Sequence, residues 1–132
     1  MDKPEYSKYK GRKYKYILDR PFTIVTGIHP LTPIKHPYFT IGVDSVLKIS
    51  NGYAWDGATG VPSLLQTKKL VRPSLVHDVF CQAIEEGYLS KGVRKEADKL
   101  FRVLCEEEGM PEIVVTTMYK LVRGYVKVRY IW

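Results

Sequence analysis

The spacing of apolar residues changes once along this chain, at Pro73, and that change limits the fold more than any other feature. Upstream, apolar residues come in short β-branched and aromatic runs: Tyr14-Lys15-Tyr16-Ile17-Leu18, Phe22-Thr23-Ile24-Val25, Tyr38-Phe39-Thr40-Ile41 and Val46-Leu47-Lys48-Ile49. Separated by Asp19-Arg20-Pro21, Gly42 to Ser45 and Ser50-Asn51-Gly52, these runs predict antiparallel strands. His29 to Pro37 holds three prolines in nine residues. It cannot supply a central strand's donors and predicts a loop.

Downstream the period is helical. Leu75, Val76, Val79, Phe80, Ala83 and Ile84 fall on one face of a helix that Pro73 can open and Gly87 can end. Val93, Ala97, Leu100, Phe101 and Leu104 make a second apolar face, closed by Gly109. Pro111 opens a third helix with Ile113, Val114, Met118, Leu121, Val122 and Tyr125 facing inward. The expectation is an α+β fold: a small antiparallel N-terminal sheet followed by three helices, in a single domain. Residues 1–12 read as a basic flexible tail, 13–55 as β-rich, 56–72 as a motif loop and 73–128 as helical.

A chain of 132 residues can bury a core without covalent staples. Its 45% apolar and 27% charged residues exclude a disordered protein. No apolar run reaches the roughly 20 residues of a membrane span, and the lysine-rich start lacks a signal peptide's apolar core. The expected location is the cytoplasm of a host cell, with virion association as an alternative. Cys81 and Cys105 sit in helical patterns and read as buried free thiols rather than a disulfide framework.

The net charge of +7 is unevenly placed. Lys3, Lys8, Lys10, Arg12, Lys13 and Lys15 alternate with tyrosines at the start, and no acid follows Glu112. Basic residues among aromatics suit non-specific nucleic-acid binding; a solvated tail and an ordinary basic helix end account for the same charges.

Three stretches carry the chemistry. His77 and Asp78 are consecutive, so on a helix they point about 100° apart and cannot pair with each other. Two helices joined by the short turn from Gly87 to Gly92 are antiparallel neighbours, which brings Asp98 toward His77. A carboxylate on one imidazole nitrogen would fix the tautomer and leave the other nitrogen as base. The alternative is a surface pair of Asp98 with Arg94 or Arg102 at helical spacing. Trp55-Asp56-Gly57-Ala58-Thr59-Gly60 forms a glycine-broken turn in which Asp56 and Thr59 supply oxygens. With Asp78, Asp56 is a candidate ligand for a divalent metal: calcium, magnesium or manganese by its carboxylates, zinc if His77 takes part. Thiolate zinc is excluded by the lack of a paired cysteine motif, and nucleotide triphosphate binding by the lack of a Walker loop.

Four motifs in order resemble a family of small phage and prophage proteins of unknown function: Gly52-Tyr53-Ala54-Trp55-Asp56-Gly57-Ala58-Thr59 with Pro62, His77-Asp78-Val79-Phe80-Cys81, Ala97-Asp98-Lys99-Leu100-Phe101, and Met118-Tyr119-Lys120-Leu121-Val122-Arg123. The resemblance covers roughly residues 45–125, implies a phage or prophage origin, and adds Tyr119 and Arg123 to the candidate residues. At the level of the site, His77-Asp78 and the distant Asp98 are also similar to the phospholipases A2. That similarity implies His77 as base, Asp98 as its orienter and Asp78 as a calcium ligand. Cys81 departs from the tyrosine of both patterns.

Together these features predict a hydrolase built on a His77/Asp98 dyad, with Asp78 and Asp56 binding a metal or polarising the substrate. The alternatives are a non-enzymatic phage accessory that binds a phage or host partner through Tyr130 and Trp132, and a non-specific nucleic-acid binder.

Overall fold

The computed structural model describes residues 2–58, 60–62 and 65–129, with side chains described as far as residue 124. The described chain divides into two compact units, residues 1–56 and 57–132. The first is all β and the second is helical, so the α+β class holds, and the structural division falls at the glycine-rich turn rather than at Pro73.

Seven short strands make the first unit: β1 (Tyr6–Lys8), β2 (Tyr16–Leu18), β3 (Phe22–Val25), β4 (Ile34–Lys35), β5 (Phe39–Ile41), β6 (Val46–Ile49) and β7 (Ala54–Trp55). They form two antiparallel sheets where one was expected, ordered β1-β2-β7 and β3-β6-β5-β4. The sheets differ in what holds them. The larger buries one face by strict alternation: Phe22, Phe39, Ile41, Leu47 and Ile49 point in, while Thr23, Thr40 and Lys48 point out. The smaller depends on aromatic rings, with Tyr6 and Tyr16 meeting edge-on at 5.4 Å and Tyr16 lying 5.4 Å from Trp55.

Those rings explain why residues 6–8, read from sequence as part of a flexible tail, form β1. Likewise β4 lies inside the proline-rich loop. Flanked by Pro33 and Pro37, it occupies a sheet edge, the position where missing donors cost no ladder bond. The β5–β6 connection is tight enough to hold Ser45 at φ 71°, a conformation rare outside glycine. Ser45 compensates by its contacts: its carbonyl accepts from Thr26 Oγ1 at 2.9 Å, and its hydroxyl accepts from Gly27 N–H at 3.1 Å.

The second unit holds α1 (Val71–Glu85), α2 (Val93–Glu107) and α3 (Glu112–Arg129). A 3-10 turn, Lys68–Leu70, leads into α1, so the helix starts two residues before Pro73 and the proline sits in its first turn. Gly87 and Gly109, both at φ 82°, end α1 and α2. α1 and α2 run antiparallel: Arg72 near the start of α1 donates to Glu108 at 2.8 Å and Glu107 at 2.9 Å at the far end of α2. The core of this unit gathers Ala58, Val61, Leu70, Phe101, Cys105, Val115, Met118 and Val122. In α3 the inward face is therefore Val115, Met118 and Val122. Ile113, expected inside, is 78% exposed. Tyr125 lies beyond the described side chains. No helix among the described residues is long and apolar enough to cross a membrane.

Candidate functional site

His77 comes from the middle of α1 and Asp98 from the second turn of α2, where the antiparallel pairing of these helices sets them opposite each other. His77 Nε2–H donates to Asp98 Oδ1 at 2.5 Å. The second carboxylate oxygen accepts from Arg123 Nη1 at 2.8 Å, a residue of α3. Asp98 is 0% exposed and His77 7%, while the Arg123 side chain is 37% exposed. The cluster thus joins all three helices through one buried carboxylate. The Phe101 ring meets the imidazole in an edge-type contact, 5.4 Å between ring centroids.

The electrostatics follow from that placement. Burial, the largest single influence, pushes the His77 pKa down, but the hydrogen bonds and charges of Asp98 and Cys81 together outweigh it and hold the imidazole up at about 10. At neutral pH the ring is an imidazolium, and Asp98 sits between two cations. Since Nε2 is committed to Asp98, Nδ1 is the nitrogen left to exchange a proton.

Cys81, one helical turn along α1, faces that ring. Its sulfur lies 3.6 Å from Nδ1 and 3.9 Å from Nε2. Two nearly equal distances place the sulfur against the ring rather than on the axis of either nitrogen. Cys81 is half-buried. Cys105 is fully buried, and its thiol is pushed up to about 12 by burial and then by the nearby Glu108 and Glu106, which leaves it inert. The sequence reading took both cysteines as packing residues; the i, i+4 spacing of His77 and Cys81 was the available signal that they share a helix face.

Tyr119 stands with Arg102, whose guanidinium is 5.5 Å from the ring centroid. Arg102 also donates to Glu112 at 2.8 Å, so the alternative pairing of Asp98 with Arg102 does not occur. Asp78 is half-buried on α1 and has an interaction partner of its own. Asp56 belongs to the first unit, just past β7, and its pKa is raised by burial. Thr59, Tyr130 and Trp132 fall outside the described residues. Among the described residues no three His, Cys, Asp or Glu side chains come together in a group able to hold a metal.

Gln66 also escaped the sequence reading. Its Nε2 donates to the carbonyls of Ala58 at 2.8 Å and Val61 at 3.0 Å, and its Oε1 accepts from Ala58 N–H at 3.2 Å. The main-chain groups of Ala58, at a glycine-rich turn, are thereby satisfied within the protein and not offered to a ligand.

Comparison with known proteins gives a family and no activity. Residues 33–122 match the model of a protein family of unknown function, DUF1353, and the chain belongs to that family. The matched span contains His77, Cys81 and Asp98 and stops one residue short of Arg123. No curated protein and no solved structure matches the chain.

Proposed function

We propose that this is a hydrolase, phage- or prophage-encoded, in which the His77 imidazolium is the proton-transfer group. The observation that carries this reading is the 2.5 Å contact between His77 Nε2 and Asp98 Oδ1 inside the helical unit. Asp98 holds the ring in place and stabilises its positive form, and Arg123 fixes the second carboxylate oxygen. His77 Nδ1 then gives its proton to a leaving group and recovers it from the attacking water. In a phage setting the substrate classes to test are a phospholipid, a peptidoglycan fragment and a host signalling nucleotide. With such a panel, hydrolysis should drop at least about 100-fold in His77→Gln and Asp98→Asn, in line with the usual contribution of general acid–base catalysis. The rate should fall above about pH 10 as the ring loses its proton. Hydrolysis at wild-type rate in His77→Gln would end this reading.

The same cluster supports the non-enzymatic alternative, in which the motifs lock three helices together for a binding protein. The observation favouring it is the complete burial of Asp98 between partners from α1 and α3. Turnover separates the two readings, because loss of the His77–Asp98 contact lowers the melting temperature under either: hydrolysis that the wild type shows and a still-folded His77→Gln lacks favours catalysis, and a wild type that hydrolyses nothing in the panel favours the lock.

A divalent cation at Asp78 would add to this chemistry, and no step above passes through one. The melting temperature of chelator-stripped protein should rise modestly in millimolar calcium or magnesium, by mass action, and Asp78→Asn should abolish the rise. A melt unmoved by calcium, magnesium, manganese or zinc would remove the cation.

A further inference from the structure

The β1–β2 hairpin places its charges by sign. At its base the acids are engaged: Glu5 pairs with Arg20 at 3.5 Å, Asp19 accepts the Ser7 hydroxyl, and Asp19 N–H donates to the Glu5 carbonyl at 2.8 Å. From residue 8 to residue 15 the chain reads Lys-Tyr-Lys-Gly-Arg-Lys-Tyr-Lys, five cations with no acid. All five are exposed. The segment is tied to the sheet by main-chain hydrogen bonds. Tyr9 N–H extends the ladder to the Lys15 carbonyl at 3.0 Å, and Lys15 N–H bonds the Trp55 carbonyl on β7, also at 3.0 Å.

Two tyrosines are organised at this tip. The rings of Tyr9 and Tyr14 meet edge-on at 5.5 Å. Tyr9 lies over Gly11 so closely that a β-carbon there would come within 2.7 Å of its Cε1. The Lys13 ammonium sits 5.4 Å from the Tyr14 centroid, and Lys15 sits 5.5 Å from that of Tyr16. Tyr9 and Tyr14 are both half-buried, so part of each reaches solvent.

We propose that this hairpin tip is a docking site for single-stranded nucleic acid. Five cations without a neutralising acid attract a polyanion, and the two tyrosines supply planar faces on which unpaired bases stack. A duplex keeps its base faces stacked on one another and cannot use them. An anionic membrane fits less well, because the tip carries no Leu, Ile, Phe or Trp to enter the acyl boundary. The proposal is independent of any activity at His77.

Fluorescence anisotropy with a labelled oligo(dT) of about 20 nucleotides tests it, beside a duplex of equal length and vesicles of phosphatidylcholine with phosphatidylglycerol. We expect micromolar binding at about 50 mM salt, weakening with a log–log salt slope of about −3, given roughly 0.7 per neutralised phosphate on a single strand. Lys10→Glu, Arg12→Glu and Lys13→Glu combined should weaken binding at least about 30-fold and flatten the slope by about 2. Tyr9→Leu and Tyr14→Leu should each weaken it at least about fivefold with the slope unchanged, as loss of stacking requires. Unchanged tryptophan emission checks that the variants fold; should the triple variant fail, Arg12→Gln with Lys13→Gln should give about two-thirds of the change in slope. No anisotropy change up to about 50 μM protein at low salt overturns the proposal, as would a duplex bound as tightly as the single strand. So would vesicle binding of equal strength that is indifferent to both tyrosine variants.

Discussion

Asp98 has no solvent contact and two cationic partners, so its loss should cost more than the loss of either partner. Removing one member of a buried ion pair leaves the others desolvated and unpaired, typically at about 3–5 kcal/mol. Asp98→Ala should therefore destabilise by about 3 kcal/mol or more. His77→Ala should cost less, since Arg123 still neutralises the carboxylate, and Arg123→Ala least, about 1 kcal/mol, because that arginine is over a third exposed. Urea melts of the three variants test the order, and an Arg123 variant less stable than the Asp98 variant would refute it. The raised pKa of His77 adds a pH dependence with a definite sign. The folded state binds this proton more tightly than the unfolded chain, whose value is 6.5. The stabilisation is thus complete below pH 6.5 and lost as pH rises toward 10. Stability should decline between pH 7 and 10, and the decline should shrink sharply in His77→Gln; an equal decline in both proteins would show that the ring is not the responsible group. The His77–Asp98 pair was legible in sequence because helix pairing across a short turn and two acid-bearing motifs converge on it. Cys81 was overlooked because a half-buried thiol has no sequence signature beyond its spacing from His77.

Among the elements, the chain's punctuation was more legible than its pairing. Gly87 and Gly109 ended helices as glycine in the left-handed region does, and the alternation over Phe39–Ile41 and Val46–Ile49 gave both strands. β1 and β4 were not foreseen because a run of two or three residues shows no alternation of its own and is fixed by the strand it pairs with, β2 and β5 here. β7 pairs with β2 across nearly forty residues, Tyr16 opposite Trp55. The phase of α3 was ambiguous for a different reason. Ile113-Val114-Val115 is apolar at three successive positions, so any of the three can face a core, and α2 selects Val115. No motif announces Gln66, yet it ties Ala58 to Val61 through three hydrogen bonds. Gln66→Ala leaves the Ala58 and Val61 carbonyls without this donor and should cost about 1–3 kcal/mol. Gln66→Glu should recover little, because a carboxylate accepts but cannot donate. Urea melts of both variants would check this, and a neutral Gln66→Ala would mean that water replaces the side chain.

For the whole molecule, the family match begins at residue 33, past the basic hairpin, and crosses the boundary between the two units. The feature proposed for nucleic acid and the His77 cluster therefore differ in their relation to the family, and they should be separable. Replacing residues 10–14 by the two-residue turn Asn-Gly keeps the strands in register while removing three cations and Tyr14. That variant should lose oligo(dT) binding and keep both the melting temperature and the pH dependence attributed to His77. Loss of the pH dependence would show that the two features are coupled. The four-stranded sheet has a further consequence for behaviour in a crowded solution. Its edges are β3, which follows Pro21, and β4, which is held between Pro33 and Pro37. A proline beside an edge strand withholds the donor that an incoming strand would need, so sheets from neighbouring molecules have little to add to. The prolines that make this stretch look unstructured in sequence thereby act as a guard against polymerisation.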